Sequence, residues 1–411
     1  MSTASPNNSM TGGGLVTGEP EASLPTIPRE RSGVFELPTG LMDLAAAGPI
    51  HRLRYAGGHV GWIVTDFELC RKVLTMPEFS SRPDLRHSAI HEAIGDGQPP
   101  EERPGMFVGM DPPEHTHYRR IVAAALRLGE MRKLEADIAD RANALFDAGT
   151  DETVDLVSKV ASPLPALVIT ELLGVEEAVS HTLTRCLERM LSLESSADEV
   201  RQMFGIIFDE LGEVVARRSA DRAPGFITNM IADGQLSRDE MTSVAFQLYT
   251  AGHETTTNMI ALSYLHLLLN PKAANAIRGD GSAINDAVEE YLRFFSIIQF
   301  GISRAALQEV ELGGVIIGPG ETITVSLPAA NFDARRFPDP HILDITRRDR
   351  GHLAFGFGVH QCVAQQLARV ELTVALRVFL ERYDTFALDS YEMKADTIVH
   401  GLTRLSVRPS R

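Results

Sequence analysis

Apolar residues recur at helical spacing in two long stretches of this chain and alternate in a third. The longest pattern opens at Ser237-Arg238-Asp239-Glu240, a capping-box signature in which Ser237 caps and Glu240 reaches back. From there the spacing predicts a helix running to Asn270, where Pro271 ends it. At about 1.5 Å of rise per residue such a helix is about 50 Å long, enough to cross a whole domain. Leu248, Ala251, Gly252, Thr255 and Met259 fall on one stripe of it, and the small residues at its centre leave room for something flat. A second helical pattern, Leu367, Val370, Val374 and Val378, follows Cys362. Alternation in Glu309-Val310-Glu311-Leu312, the β-branched run Val315-Ile316-Ile317 and the Gly318-Pro319-Gly320 turn predict a small sheet.

Composition narrows the classes. No Pro/Gly/Ser-rich linker divides the interior of the 411 residues, so length alone permits one large domain or two to three smaller ones. Residues 1–22 carry Ser, Asn, Gly and Pro with little to bury and read as a disordered arm. A net charge of −16 argues against a nucleic-acid partner. Cys70, Cys186 and Cys362 are scattered and odd in number, which fits a reducing compartment without a disulfide framework. Neither a signal-peptide pattern nor a bilayer-length apolar run is present, so a cytoplasmic location and no membrane association are expected.

The chemistry concentrates at Phe355-Gly356-Phe357-Gly358-Val359-His360-Gln361-Cys362-Val363-Ala364. Gly356 and Gly358 permit tight turns and close backbone approach. Cys362 then stands at or near a helix N-terminus, where unpaired N–H groups and the dipole favour a thiolate able to bind a metal. Its plainer reading is a buried free cysteine acting as a small hydrophobe. The ten residues resemble the haem-binding loop of the cytochrome P450 family, Phe-x-x-Gly-x-(His or Arg)-x-Cys-x-(Gly or Ala), with Ala364 in place of the commoner glycine. The resemblance implies that Cys362 ligates the iron of haem b, that Phe355 packs beside the thiolate and that His360 lies near a propionate. An axial thiolate favours O–O cleavage.

Other segments resemble the same family in its own order. Ala251-Gly252-His253-Glu254-Thr255-Thr256 is similar to its oxygen-activation motif. This implies that Ala251 and Gly252 face the haem, Thr255 hydrogen-bonds dioxygen, and Glu254 relays protons. By themselves the threonines could equally back-bond to helix carbonyls, with Glu254 a solvated face residue. Glu290-Tyr291-Leu292-Arg293, flanked by apolar residues, resembles the family's structural Glu-x-x-Arg element, with Arg335 the implied third partner. His115, Arg119 and Arg304 stand at family positions for holding the two propionates, a task for cations with rigid donors.

The resemblance runs from about residue 24 to the end. It implies a mainly α fold with small β-sheets near Val60 and the C-terminus, forming a single haem domain over 23–411. By the same analogy the substrate roof comes from 81–106 and 172–195. The walls come from Leu248, Ala251, Ile297, Ile298, Gln299, Phe300, Ile398, Val399 and His400, largely apolar and suited to a lipophilic molecule. The implied activity is insertion of one oxygen atom from O2 into a secondary metabolite such as a polyketide or macrolide. Oxidative ring closure or coupling is the alternative, and a non-catalytic haem-binding recruitment protein a remote one. Electrons are expected from NAD(P)H through ferredoxin reductase and ferredoxin, steered by Arg335, Arg336, Arg347, Arg348 and Arg350.

Overall fold

The computed structural model describes residues 24–87, 103–147, 153–221, 225–395 and 397–409. The expected arm at 1–22 and residues 88–102 of the expected roof lie outside them. The central helix spans Arg238–Leu269 and has the expected capping box: Glu240 N donates to Ser237 Oγ at 3.3 Å, and Ser237 N to Glu240 Oε2 at 2.7 Å. The other Glu240 oxygen takes the Tyr118 hydroxyl at 2.6 Å, which ties in the helix Glu114–Ala125. From Ile260 to Leu267 the central helix is buried on every face, with its polar Ser263 and His266 hydrogen-bonded to Met259 O and the Tyr291 hydroxyl. Pro163–Leu173, Ala197–Asp221, Gly281–Phe295 and Gln365–Glu381 pack around it.

Beside this helical body stands a five-stranded sheet. Ile50–Arg54 pairs antiparallel with Val60–Val64, which runs parallel to Thr322–Val325. Thr322–Val325 in turn pairs antiparallel with Ile302–Ala306, whose outer neighbour is the short edge Phe79–Ser80. The predicted sheet at 309–317 is a hairpin of Val310–Leu312 and Val315–Ile317. It turns at Gly313 and Gly314, whose φ of 59° and 84° lie in the left-handed region that suits glycine. Phe386–Met393 and Leu402–Pro409 pair near the C-terminus, with Val154–Asp155 on the outer side of the latter. The fold is mainly α with small sheets. Among the described residues no helix is long and apolar enough to cross a membrane.

The cysteine loop bridges the two cores: Phe355 and Val363 pack on the helical body, and Phe357 on the apolar layer beneath the sheet. Its backing is a buried ion pair. Arg293 donates Nε and Nη2 to Glu290 at 2.7 and 2.8 Å, and both side chains are only 1% exposed. The third partner is Arg347, 3.3 Å from Glu290 and almost wholly buried, and not Arg335. Arg335 lies in solvent, where Asp333, two residues earlier, and Asp66 hold it. The turn at 333 captures the nearer arginine locally, and the chain then brings Arg347 back to Glu290, whose Oε1 also takes Asp344 N at 3.0 Å. The five-arginine patch is correspondingly compensated. Arg348 and Arg350 face Asp286, Arg336 faces Asp349, and Arg347 is interior.

Candidate active site

Cys362 lies three residues before the helix Gln365–Glu381, and its N–H donates to Phe355 O at 2.8 Å. Gly356 and Gly358 both take positive φ, 69° and 74°. At Gly358 a Cβ would stand 2.5 Å from Leu74 O, so the close approach to the preceding helix Phe67–Thr75 requires glycine. Burial pushes the Cys362 thiol up, while the Ala364 N–H, Arg119 and Arg369 pull it down less strongly. The helix end alone does not make a thiolate here. A cation bonded to the sulfur would.

The loop forms one wall of a cavity of about 310 Å3. Cys362, Val363, Ala364, Leu367 and Ala368 face it from below. Leu248, Ala251, Gly252, Thr255, Thr256 and Met259 of the central helix face it from the other side, the stripe that periodicity marks. Ile297, Ile298 and Phe107 close the apolar rim. Thr255 Oγ1 donates to Ala251 O at 2.7 Å, so its hydroxyl oxygen is free to accept.

One end of the cavity is cationic. His115, Arg119 and His360 line it, with the two imidazoles 4.0 Å apart between centroids. Arg304 is buried next to them on its strand and acts on both rings. Burial, then the neighbouring cations, hold His115 at about 4 and His360 at about 3. Burial likewise lowers Arg119, and lowers Arg304 to about 10. His115 Nδ1 and His360 Nε2 are buried without a hydrogen-bond partner among the described residues. Buried donors and cations that repel one another call for an anion with several acceptor oxygens. Two propionates on a flat macrocycle meet that need, and the small-residue slot between Ala251 and Cys362 suits its plane, so these residues fit haem.

Three features were not visible in the sequence. Arg86 stands close enough to Arg304 to depress it, so the cationic end includes a residue that the 81–106 roof segment concealed. Glu371 reaches the cavity from the cysteine helix with Oε2 unpartnered among the described residues, and burial holds its carboxyl well above the usual range. Glu254 does not face the cavity. Its Oε1 takes Asn258 Nδ2 at 3.0 Å and the ammonium of Lys394, in a separate polar chamber of about 350 Å3 shared with Glu188.

The far wall also differs from expectation. Gln299, Phe300, Ile398, Val399 and His400 are not among the residues lining the cavity. The isolated bridge between Ile298 and Val399 sets the two segments side by side. Gln299 instead accepts Arg31 Nε at 3.2 Å and donates to Thr397 O at 3.3 Å. His400 Nε2 lies 2.8 Å from Val34 O, so both polar residues pin the N-terminal segment to the wall.

Comparison with known proteins decides the family. Residues 180–404 match the family model for cytochrome P450. Vitamin D3 dihydroxylase of Streptomyces griseolus is 34% identical over 397 residues, covering 93% of this chain and 96% of that protein. The chain belongs to the cytochrome P450 family. Its fold matches that of CYP105P1 in complex with filipin I with a TM-score of 0.87 at 32% identity, covering 94% of this chain and 99% of the other. The mycinamicin VIII C21 methyl hydroxylase MycCI of Micromonospora griseorubida, bound to mycinamicin VIII, matches with the same TM-score of 0.87 at 26% identity, over 94% of this chain and 100% of that one. This cytochrome P450 is therefore a haem-thiolate monooxygenase of the bacterial type.

Proposed function

We propose that this cytochrome P450 folds as one domain over 23–411, binds haem b through Cys362, and inserts one oxygen atom from O2 into a lipophilic secondary metabolite of polyketide or macrolide type, by hydroxylation or epoxidation. The observation that carries the reading is the juxtaposition of Cys362 with Thr255 across one cavity whose substrate-side wall is apolar. Bound haem supplies O2 activation. His115, Arg119, Arg304 and His360 hold its propionates, with Phe355 against the thiolate. Thr255 offers its hydroxyl to the oxygen side of the cavity, and Ala251 and Gly252 leave the space. Glu254, facing Lys394 and Glu188, takes protons from the polar chamber and passes them across the helix toward Thr255. Leu248, Ile297 and Ile298 exclude water and grip apolar substrate. Electrons come from NAD(P)H through ferredoxin reductase and ferredoxin.

The test is the spectrum of the dithionite-reduced protein with carbon monoxide. A Soret band at the long-wavelength position of thiolate-ligated haem is expected, and Cys362→Ala removes it. A short-wavelength band in the wild type overturns the assignment. Titration with filipin I, mycinamicin VIII and vitamin D3 then probes the substrate class, with displacement of water from ferric iron as the readout. Failure of all three argues against a macrolide-like substrate.

A further inference from the structure

Glu289 is the sequence neighbour of the structural Glu290 but faces the cysteine helix. Its carboxylate takes Arg369 Nε at 2.5 Å and Nη2 at 3.2 Å, and stands 3.3 Å from His352 Nε2. Burial pushes Glu289 up, but His352 and Arg369 more than offset it and hold the carboxyl at about 2, so the anion persists through the physiological range. Arg369 is thereby fixed at both edges: Glu289 on one, and Gln365 Oε1, 3.0 Å from Nη1, on the other. So held, the guanidinium lies over the Phe355 ring, 4.6 Å from its centroid. Phe355 is the residue whose carbonyl takes the Cys362 N–H.

Arg119 lines the cavity together with Cys362, whereas Arg369 stands outside it, behind Phe355. Arg119 is committed to the cationic end of the cavity, beside His115 and His360. Arg369 is not, and its orientation is set entirely by protein groups. A guanidinium cannot lose its proton in water-accessible sites, so the charge is permanent. One-electron reduction makes the haem-thiolate unit one charge more negative without breaking a bond. A fixed cation nearby favours that product, and more so in low dielectric.

We propose that Arg369, clamped by Glu289, is a positioning residue that sets the reduction equilibrium of the haem-thiolate unit by placing a permanent charge behind Phe355. The electron is supplied by the one-electron carrier, or by dithionite in the test. An ion pair that merely joined the helices Gly281–Phe295 and Gln365–Glu381 would leave that equilibrium unmoved.

The proposal rests on the haem-thiolate reading, and the test separates the two. The carbon monoxide band is recorded first, because its absence from the wild type rejects that reading itself. In haem-loaded protein Arg369→Gln is expected to lower the reduction equilibrium constant about tenfold, about 59 mV for one electron. Arg369→Lys, which keeps a charge but loses the clamp and the stacking, lowers it about twofold. Arg377→Gln is the control. Arg377 shares the same surface groove and pairs with Glu135 at 2.8 Å, so the constant should not change. An intact thiolate-type band with an unchanged constant in Arg369→Gln overturns the role of Arg369, as does an equal fall in the control. If Arg369→Gln takes up no haem, Arg369→Lys decides, and an unchanged constant there overturns it.

Discussion

The two walls of the cavity are built on opposite physical terms. The cysteine wall is backed by charges paired at or near the core: Glu290 with Arg293 and Arg347, and Glu289 with Arg369. Asn331 joins that backing, taking Leu353 N at 2.7 Å and donating to Ser296 Oγ at 2.8 Å. The central-helix wall presents Leu248, Ala251, Gly252 and Met259, and the mid-helix carboxylate Glu254 turns to the reverse side. Ion pairs and amide bonds are directional, so they place a sulfur atom closely, and breaking one strands a buried charge. An apolar wall tolerates changes of volume and shape, so the cavity can be reshaped there without moving Cys362.

Breaking the cysteine wall has the largest effect. Arg293→Met leaves Glu290 with Arg347 alone and is expected to cost about 3–5 kcal/mol, read from the urea midpoint. Acid separates the walls next. His400, behind the substrate wall, is held down to about 3 by burial and Arg31, so the unfolded chain takes its proton first. Its contribution is present above the ordinary histidine value and is lost as pH falls toward about 3. Glu289, behind the cysteine wall, is depressed from 4.5 to about 2, and its contribution is lost over that lower window. Each group adds a slope of about 1.4 kcal/mol per pH unit in its own window. His400→Gln should flatten the upper part of the acid limb and Glu289→Gln the lower. Identical profiles for the two variants would break the comparison.

On the apolar wall, Leu248→Ala borders open space already. It is expected to cost only about 2 kcal/mol, the low end for such a truncation, while changing which lipophiles displace water from the iron. The smallest effect belongs to Arg335→Ala. Its side chain is 71% exposed, so less than about 1 kcal/mol is expected despite its two carboxylate partners. A loss as large as that of Arg293→Met would contradict the assignment of Arg347 as the third partner.

Much of the oxygen-side architecture was readable in advance because its signals are local. The capping box of Ser237 and Glu240, the stripe from Leu248 to Met259 and the glycine turns before Cys362 each lie within a few residues of what they control. What was not readable shares the opposite property. Arg335 precedes Arg347 by only one turn-rich segment, and nothing in the residue types distinguishes them. Gln299 and His400 were expected on the cavity wall but are taken up by Arg31 and Val34 at the far end of the chain. Glu254 meets Lys394, a partner 140 positions away.

The sequence by itself determined the helical scaffold, the glycine-punctuated loop before Cys362 and the small-residue stripe that faces it. Periodicity, capping and turn residues act through short-range sterics and hydrogen bonds that need no distant partner. Tertiary structure alone decided which charges meet, which polar groups face the cavity and which face away from it. Those outcomes depend on where a return segment places a side chain to within hydrogen-bond reach. For Arg347, Arg369 and Lys394 that placement is set by the packing of the whole domain around the central helix.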